Sequence, residues 1–337
     1  MLTILTMICW GSWANTTKLA KNWRFELFYY DYSFGVLLAA VIIAFTFGSL
    51  GYDRLLFLDD LFQTGKRNIA FGFAGGVVFN LSNMLLVAAI SVAGLSVAFP
   101  VGVGTALVVG AIWNYLIRPQ GNPVLLFTGL TVVVAAIIVD ALAYRTHAAL
   151  KLQAEIKAGK SRTTLKKVSP KGLILCVVSG LMMGSFYPLV EMGKGQPGGV
   201  EMGPYAIGFV FAVGLFLSTF VFNLFFMNLP VEGEPVEMLD YFKGSLKNHL
   251  LGIAGGVIWC AGTLSSFVAA SAPEEVQVGP AISYAMGQGA TMISALWGLL
   301  VWKEFAGAEP RVKVLIVVML VLFLAGLSLI SVAPLFR

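Results

Sequence analysis

Charge is what this sequence has least of. Only 12% of its 337 residues are Asp, Glu, Lys or Arg, about half the share of a soluble domain. Hydrophobic residues make up 58%, and the mean hydropathy is +0.86. So little polar surface cannot face water all round, which excludes a soluble domain and implies a protein embedded in a lipid bilayer. Histidine is nearly absent, with only His147 and His249, and cysteine is limited to Cys9, Cys176 and Cys260. The cysteines stand alone in apolar runs, with neither metal-ligand spacing nor a disulfide pattern, so packing is their reading. The histidines fall at the edges of apolar runs, where a metal or an acid–base pair is not expected. HExxH and GxSxG are missing, and no histidine lies in the middle of an apolar run. No catalytic residue, cofactor, metal ion or nucleic acid is therefore expected, and the chain does not read as an enzyme. Basic residues are missing ahead of the first apolar run, Leu2–Ala14, and no small-residue cleavage site follows it, so it reads as a retained span.

What the sequence has in abundance is apolar runs of about 20 residues, the length that crosses roughly 30 Å of hydrocarbon. Ten are expected, near 2–20, 29–51, 68–92, 94–117, 122–144, 171–190, 203–228, 249–271, 276–302 and 311–332. They divide into five (1–144) and five (172–337) around a basic segment, 145–171. Because five is odd, the second set must enter the membrane in the opposite sense. The fold expected is all-α and polytopic, with ten transmembrane helices in two inverted five-helix repeats. Sixteen of the 22 lysines and arginines fall in the loops on one side. That side is expected in the cytoplasm, which puts both termini outside a plasma (inner) membrane.

The repeat is written into the chain. NIAFGFAGGVVFNLSN, Asn68–Asn83, returns 180 residues later as NHLLGIAGGVIWCAGT, Asn248–Thr263. Asn68/Asn248, Gly72/Gly252, Ala74/Ala254, Gly75/Gly255, Gly76/Gly256 and Val77/Val257 are identical. The glycines fit close helix contacts, where small residues let backbones approach. The offset holds at Pro100/Pro280, which are expected to bend the fourth and ninth spans near their starts, and Pro188 is expected to do the same in the sixth.

Polar residues inside the spans are the candidate binding groups, since an amide or hydroxyl in hydrocarbon must face protein or a cavity. They are Trp10, Trp13, Asn15 and Thr17 in the first span, Asn80 and Asn83 in the third, Trp259 and Thr263 in the eighth, and Gln277, Tyr284 and Gln288 in the ninth. Trp10, Trp13 and Thr17 share one helix face. The alternative role is hydrogen bonding between helices. Convergence from both halves favours a cavity for a small, neutral polar solute, with tryptophan faces beside Asn, Gln and Thr. Lys18, Glu26, Asp140 and the Glu274-Glu275 pair sit near span ends as interfacial anchors. Asp31, in FYYDYSFG, is too short to snorkel and is a candidate proton carrier; Glu191 is the second. Protons, a small-molecule substrate and the bilayer are the expected partners, and the chain is expected to be a monomer or homodimer. AEIKAGKS at Ala154–Ser161 fits a loose phosphate-loop pattern but lacks the strand and helix around it, so ATP hydrolysis is not supported.

Three stretches resemble the ureide permease family of the drug/metabolite transporter superfamily, which is related to glucose and rhamnose porters. They are GVLLAAVIIAFTFGSLG (Gly35–Gly51), AGGVVFNLSN with the following GLSVAFPVGVGTALVVGAIWNYLI, and ISALWGLLVWKEF (Ile293–Phe305). The resemblance implies proton-coupled import of allantoin or related oxo-heterocycles such as uracil and xanthine, and Asp31 matches an aspartate of the family's DY element. Two features depart from it. WGSWANTTK in the first span is closer to the sugar porters, which leaves a rhamnose- or glucose-type porter as the alternative, and Glu191 stands where a neutral polar residue is expected.

Overall fold

The computed structural model describes residues 1–50, 55–157, 170–195, 201–230, 234–273 and 276–336. Glu274, Glu275 and the second half of AEIKAGKS lie outside them. The described chain is helical and contains no strand. Its helices are α1 (Leu2–Ser12), α2 (Asn15–Leu19), α3 (Phe25–Phe45), α4 (Phe57–Gln63), α5 (Lys66–Ala93), α6 (Leu95–Ile117), α7 (Pro123–Lys157), α8 (Pro170–Lys194), α9 (Pro204–Asn228), α10 (Leu246–Ala270), α11 (Pro280–Gly287), α12 (Ala290–Leu296) and α13 (Pro310–Val332). Among the described residues, eight helical segments are long and apolar enough to cross a membrane. Where the first and ninth runs are expected, the helix is broken instead. The first is split into α1 and α2 around Trp13-Ala14, and the ninth into α11, α12 and a π-helical turn, Trp297–Val301.

Proline is not the cause of these breaks. Pro100 and Pro188 lie inside α6 and α8, which continue through them. Pro280 is the first residue of α11, where its missing N–H costs nothing. The expected bend at Pro280 is therefore a helix start, preceded by Gly279 at φ 75°, a backbone conformation open to glycine. The ninth run breaks at Gly287-Gln288-Gly289, where two glycines weaken the helix. Helix α7 also runs past the expected span end at residue 144 to Lys157. The stretch RTHAALKLQAEIK is polar enough to leave a bilayer but is made mostly of good helix formers.

Long helices pack through glycine. A methyl group on Gly76 would sit 2.0 Å from the Phe211 carbonyl oxygen, and one on Gly214 would sit 2.3 Å from that of Phe73, so α5 and α9 touch backbone to backbone. The α10–α3 crossing is built alike: a methyl on Gly256 would sit 2.0 Å from Tyr32 O, and one on Gly35 would sit 2.2 Å from Ile253 O. Two further contacts also match. The Thr6 hydroxyl of α1 donates to Gly262 O on α10, and the Ser179 hydroxyl of α8 donates to Ser82 O on α5, each at 2.9 Å. One core joins α3, α5, α8, α9 and α10, and a second joins α6, α7, α11, α12 and α13. Large apolar side chains point outward, as Val314, Val317, Val321 and Leu324 do along α13. Such a face suits lipid, and the protein is a membrane protein with several apolar helices.

Candidate functional site

At the centre of the first core, Phe79 of α5 stacks on Trp259 of α10, with ring centroids 4.4 Å apart. These two residues occupy the same position in the repeated sequence, 180 residues apart. Trp259 also stacks with Phe211 at 6.0 Å and Trp10 at 6.2 Å, and meets Tyr32 at 6.3 Å; Trp13 lies 4.8 Å from Tyr32. The Trp10 indole N–H donates to Thr263 Oγ1 at 2.9 Å, and the Thr263 hydroxyl donates in turn to Trp259 O. Four of the expected binding residues, Trp10, Trp13, Trp259 and Thr263, thus share one aromatic cluster. Helix periodicity explains the grouping, because Trp10 and Trp13 are one turn apart, as are Trp259 and Thr263.

The other candidates lie around this cluster rather than in it. Asn80 is fully buried, and its amide nitrogen donates to Leu215 O, Ser218 Oγ and Thr219 Oγ1 across the α5–α9 crossing. Asn83 donates to the Tyr29 hydroxyl at 3.1 Å. Tyr284 is buried, with its hydroxyl on Ala106 O. Gln288 lies at the break after α11, its backbone N–H bonded to Tyr284 O and Ala285 O. Asn15 accepts from the Trp302 indole at 2.6 Å, and the Thr17 hydroxyl donates to Ala14 O, both at the end of the bundle where α2 finishes. At the opposite end, Gln277 accepts from Gln120 and donates to Ala270 O.

Both candidate proton carriers are buried and paired. Asp31, the seventh residue of α3, lies against Gly252 of α10, the glycine making room for its side chain. The Tyr241 hydroxyl donates to Asp31 Oδ1 at 2.5 Å, and His249 Nδ1 lies 2.8 Å from Oδ2. Glu191 lies near the far end of α8, with Lys194 one turn on; Lys194 Nζ donates to Glu191 Oε1 at 2.5 Å and to Phe267 O at 3.4 Å. A carboxylate so deep is tolerable only when paired. The burial of Tyr241, in a short 3₁₀ segment outside the long helices, raises its hydroxyl pKa above the usual range, and the neighbouring Asp31 adds to the effect.

Three partners escaped the sequence reading. Tyr241 and Lys194 carried no signal of their own, and His249, set aside as an edge residue, faces Asp31. One signal for His249 was available: it lies three residues before Gly252, within the repeated block. Among the described residues, no cluster of His, Cys, Asp or Glu could hold a metal ion.

Comparison with known proteins adds a direct link. Residues 28–171 match the model of the family described as Ureide permease. Ureide permease 1 and Ureide permease 2 of Arabidopsis thaliana are 23% and 24% identical, each alignment covering 97% of this chain and 94% of the relative. Probable ureide permease A3 of Vigna unguiculata is 24% identical, over 91% of this chain and 95% of its own length. A solved crystal structure, 13% identical, superposes with a TM-score of 0.62 over 98% of this chain and 95% of that one, a likeness of fold alone. The similarity to permeases marks this chain as a transporter and not an enzyme.

Proposed function

We propose that this chain belongs to the ureide permease family and carries a small neutral polar solute across a membrane by alternating access. The solute is a ureide such as allantoin, or an oxo-purine or oxo-pyrimidine base. The observation that carries this reading is the end-to-end similarity to ureide permeases, over 97% of the chain. A rhamnose- or glucose-type porter gains no support from those similarities.

The geometry is in keeping with it. A flat, hydrogen-bonding ring suits the indole faces of Trp10, Trp13 and Trp259, with the Thr263 hydroxyl at its edge. Asn80, Asn83, Tyr284 and Gln288 are the adjoining polar groups in our reading, while Asn15, Thr17 and Gln277 belong to the contacts that close the two ends. Ten crossings follow if α1–α2 and α11–α12 each count as one broken span. The matched glycine crossings support two inverted halves, which rock about the Phe79–Trp259 stack. Proton coupling is assigned to Asp31 with His249 and Tyr241, and Glu191 with Lys194 is the second candidate. The lysine- and arginine-rich end faces the cytoplasm, with both termini outside the plasma (inner) membrane.

The test is a melting-temperature screen of the detergent-purified protein with allantoin, uracil, xanthine, rhamnose, glucose and ribose. A ligand at 100 times its dissociation constant stabilises by about 2.7 kcal/mol, enough to see as a shift. We expect a shift with allantoin or a base and none with sugars. A shift with a sugar alone would move the function to the porter branch.

A further inference from the structure

Asp140 is a buried carboxylate that the transport reading leaves unused. Its sequence position suggests an interfacial anchor, yet on α7 it is only 8% exposed, too deep for so short a side chain to snorkel. Glu26 pairs with Arg24, Asp31 with His249, and Glu191 with Lys194, while Asp60 accepts the Gly203 N–H. Asp140 has neither a hydrogen bond nor an ion pair among the described residues. Tyr144, one turn on along the same face of α7, donates instead to Glu304 Oε2 at 2.7 Å. The Lys18 ammonium takes the other oxygen, Oε1. Gly298, in the π-helical turn, leaves space for this contact: a methyl there would sit 2.6 Å from Glu304 Oε2 and 2.9 Å from the Tyr144 hydroxyl.

Asp140 and Glu304 are near enough for their charges to oppose each other, and one ammonium serves both. Glu304 holds that ammonium and the tyrosine hydroxyl, so the charge belongs on Glu304. No further cation redresses the balance: α6, α11 and α12 carry no charged residue, and Lys303, Arg311 and Lys313 are exposed. A buried carboxylate with no partner is more stable with a proton than with a charge. The same cluster fastens the first run to the ninth, since the Trp302 indole donates to Asn15 Oδ1 at 2.6 Å and the Trp297 indole to Ser12 Oγ at 2.9 Å. Parting these contacts lets water reach Asp140, and a hydrated carboxyl ionises at neutral pH. We propose that Asp140 is a proton-release residue of the transport cycle. It carries a proton while Lys18 and Glu304 latch the basic end, and gives that proton to water when the end opens. The step is a carboxyl becoming a carboxylate and one proton, with no other bond changed. This inference rests on the alternating-access reading, and it gives the second core a titratable group beside Asp31 and Glu191 of the first.

The experiment is infrared spectroscopy of the purified full chain, followed by allantoin uptake in proteoliposomes. At about pH 6, where ordinary carboxyls with values near 4 are ionised, wild type should show the carbonyl stretch of a protonated carboxyl. Asp140→Asn should lose that band, and Asp140→Glu should shift it. In proteoliposomes Asp140→Asn should lose pH-driven uptake and keep counterflow exchange, while Asp140→Glu keeps both. If Asp140→Asn does not fold, the shifted band of Asp140→Glu carries the test. A band absent from wild type, or unchanged in the folded variants, would overturn the proposal whatever solute is moved. Undiminished pH-driven uptake by Asp140→Asn would overturn it too. Wild-type protein that neither binds nor moves allantoin would overturn the ureide reading, and the spectra would still decide Asp140.

Discussion

The α5–α9 and α3–α10 crossings use the same backbone device and fill it with different chemistry. In each, a methyl added to a glycine on one helix would sit 2.0 Å from a carbonyl oxygen, and one added to a glycine on the other would sit 2.2–2.3 Å from another. Beyond the glycines the two differ. The α5–α9 crossing holds Asn80 with Ser218 and Thr219, a neutral network, whereas α3–α10 holds Asp31 with Tyr241 and His249. The backbones must approach closely in both places, and only glycine permits it, so that part of the pattern is shared. Side chains around a close contact are free to differ, and the titratable set stands at one crossing only. The same asymmetry runs through helix continuity: α6 and α8 pack as unbroken helices, while α1 and the α11–α12 pair are interrupted where they meet, with Gly11 against Ala290 and Ile293.

The largest effect should come from the buried charge that has no counterpart in the first half. Lys194→Met leaves Glu191 buried beside an apolar chain and should cost about 3–5 kcal/mol. Adding Glu191→Gln should restore much of the melting temperature; a double variant as unstable as the single one would remove the pairing account. Next come the glycines. Gly76→Ala and Gly256→Ala should each cost about 1–3 kcal/mol by overpacking, and the losses should agree closely, since each methyl meets a carbonyl at the same 2.0 Å. A loss at one crossing without the other would break the comparison.

Asp31→Asn addresses the difference between the crossings. It should abolish pH-driven uptake and leave counterflow exchange, and undiminished pH-driven uptake would end its proposed proton role. The smallest effect concerns Glu304, at the basic end, where the Lys18 ammonium pairs with it and the Tyr144 hydroxyl donates at 2.7 Å. Burial pushes the Glu304 carboxyl up, but these two partners outweigh it and hold it below its ordinary 4.5. A depressed carboxyl contributes stability above its unfolded value and loses it as pH falls through the lower folded one. Lys18→Ala should therefore lower the melting temperature slightly at pH 7, by less than about 1 kcal/mol equivalent for so exposed a pair. That difference should fade as pH drops below 4.5.

The close-packed part of this molecule was legible in the sequence. Gly72, Gly75, Gly76 and their partners 180 residues on announce the crossings, because a glycine at a backbone contact has no substitute. Trp10 with Trp13, and Trp259 with Thr263, were legible as helix faces. Pairings across long separations were not. Nothing local to Asp31 points to His249, 218 positions away, and nothing local to Asn15 points to the Trp302 indole that takes its carbonyl. Helix ends were misjudged where polarity and helix propensity disagree, as between Arg145 and Lys157. The break at Gly287-Gln288-Gly289 carries no proline to mark it, and Pro280 starts a helix instead of bending one.

The most direct test of the transporter account is counterflow in proteoliposomes. Vesicles loaded with unlabelled allantoin are diluted into a trace of labelled allantoin, with no pH gradient. The account predicts transient, saturable accumulation of label above the external concentration, absent from empty vesicles. A flux that rises linearly with allantoin and never overshoots would contradict a carrier and point to a pore.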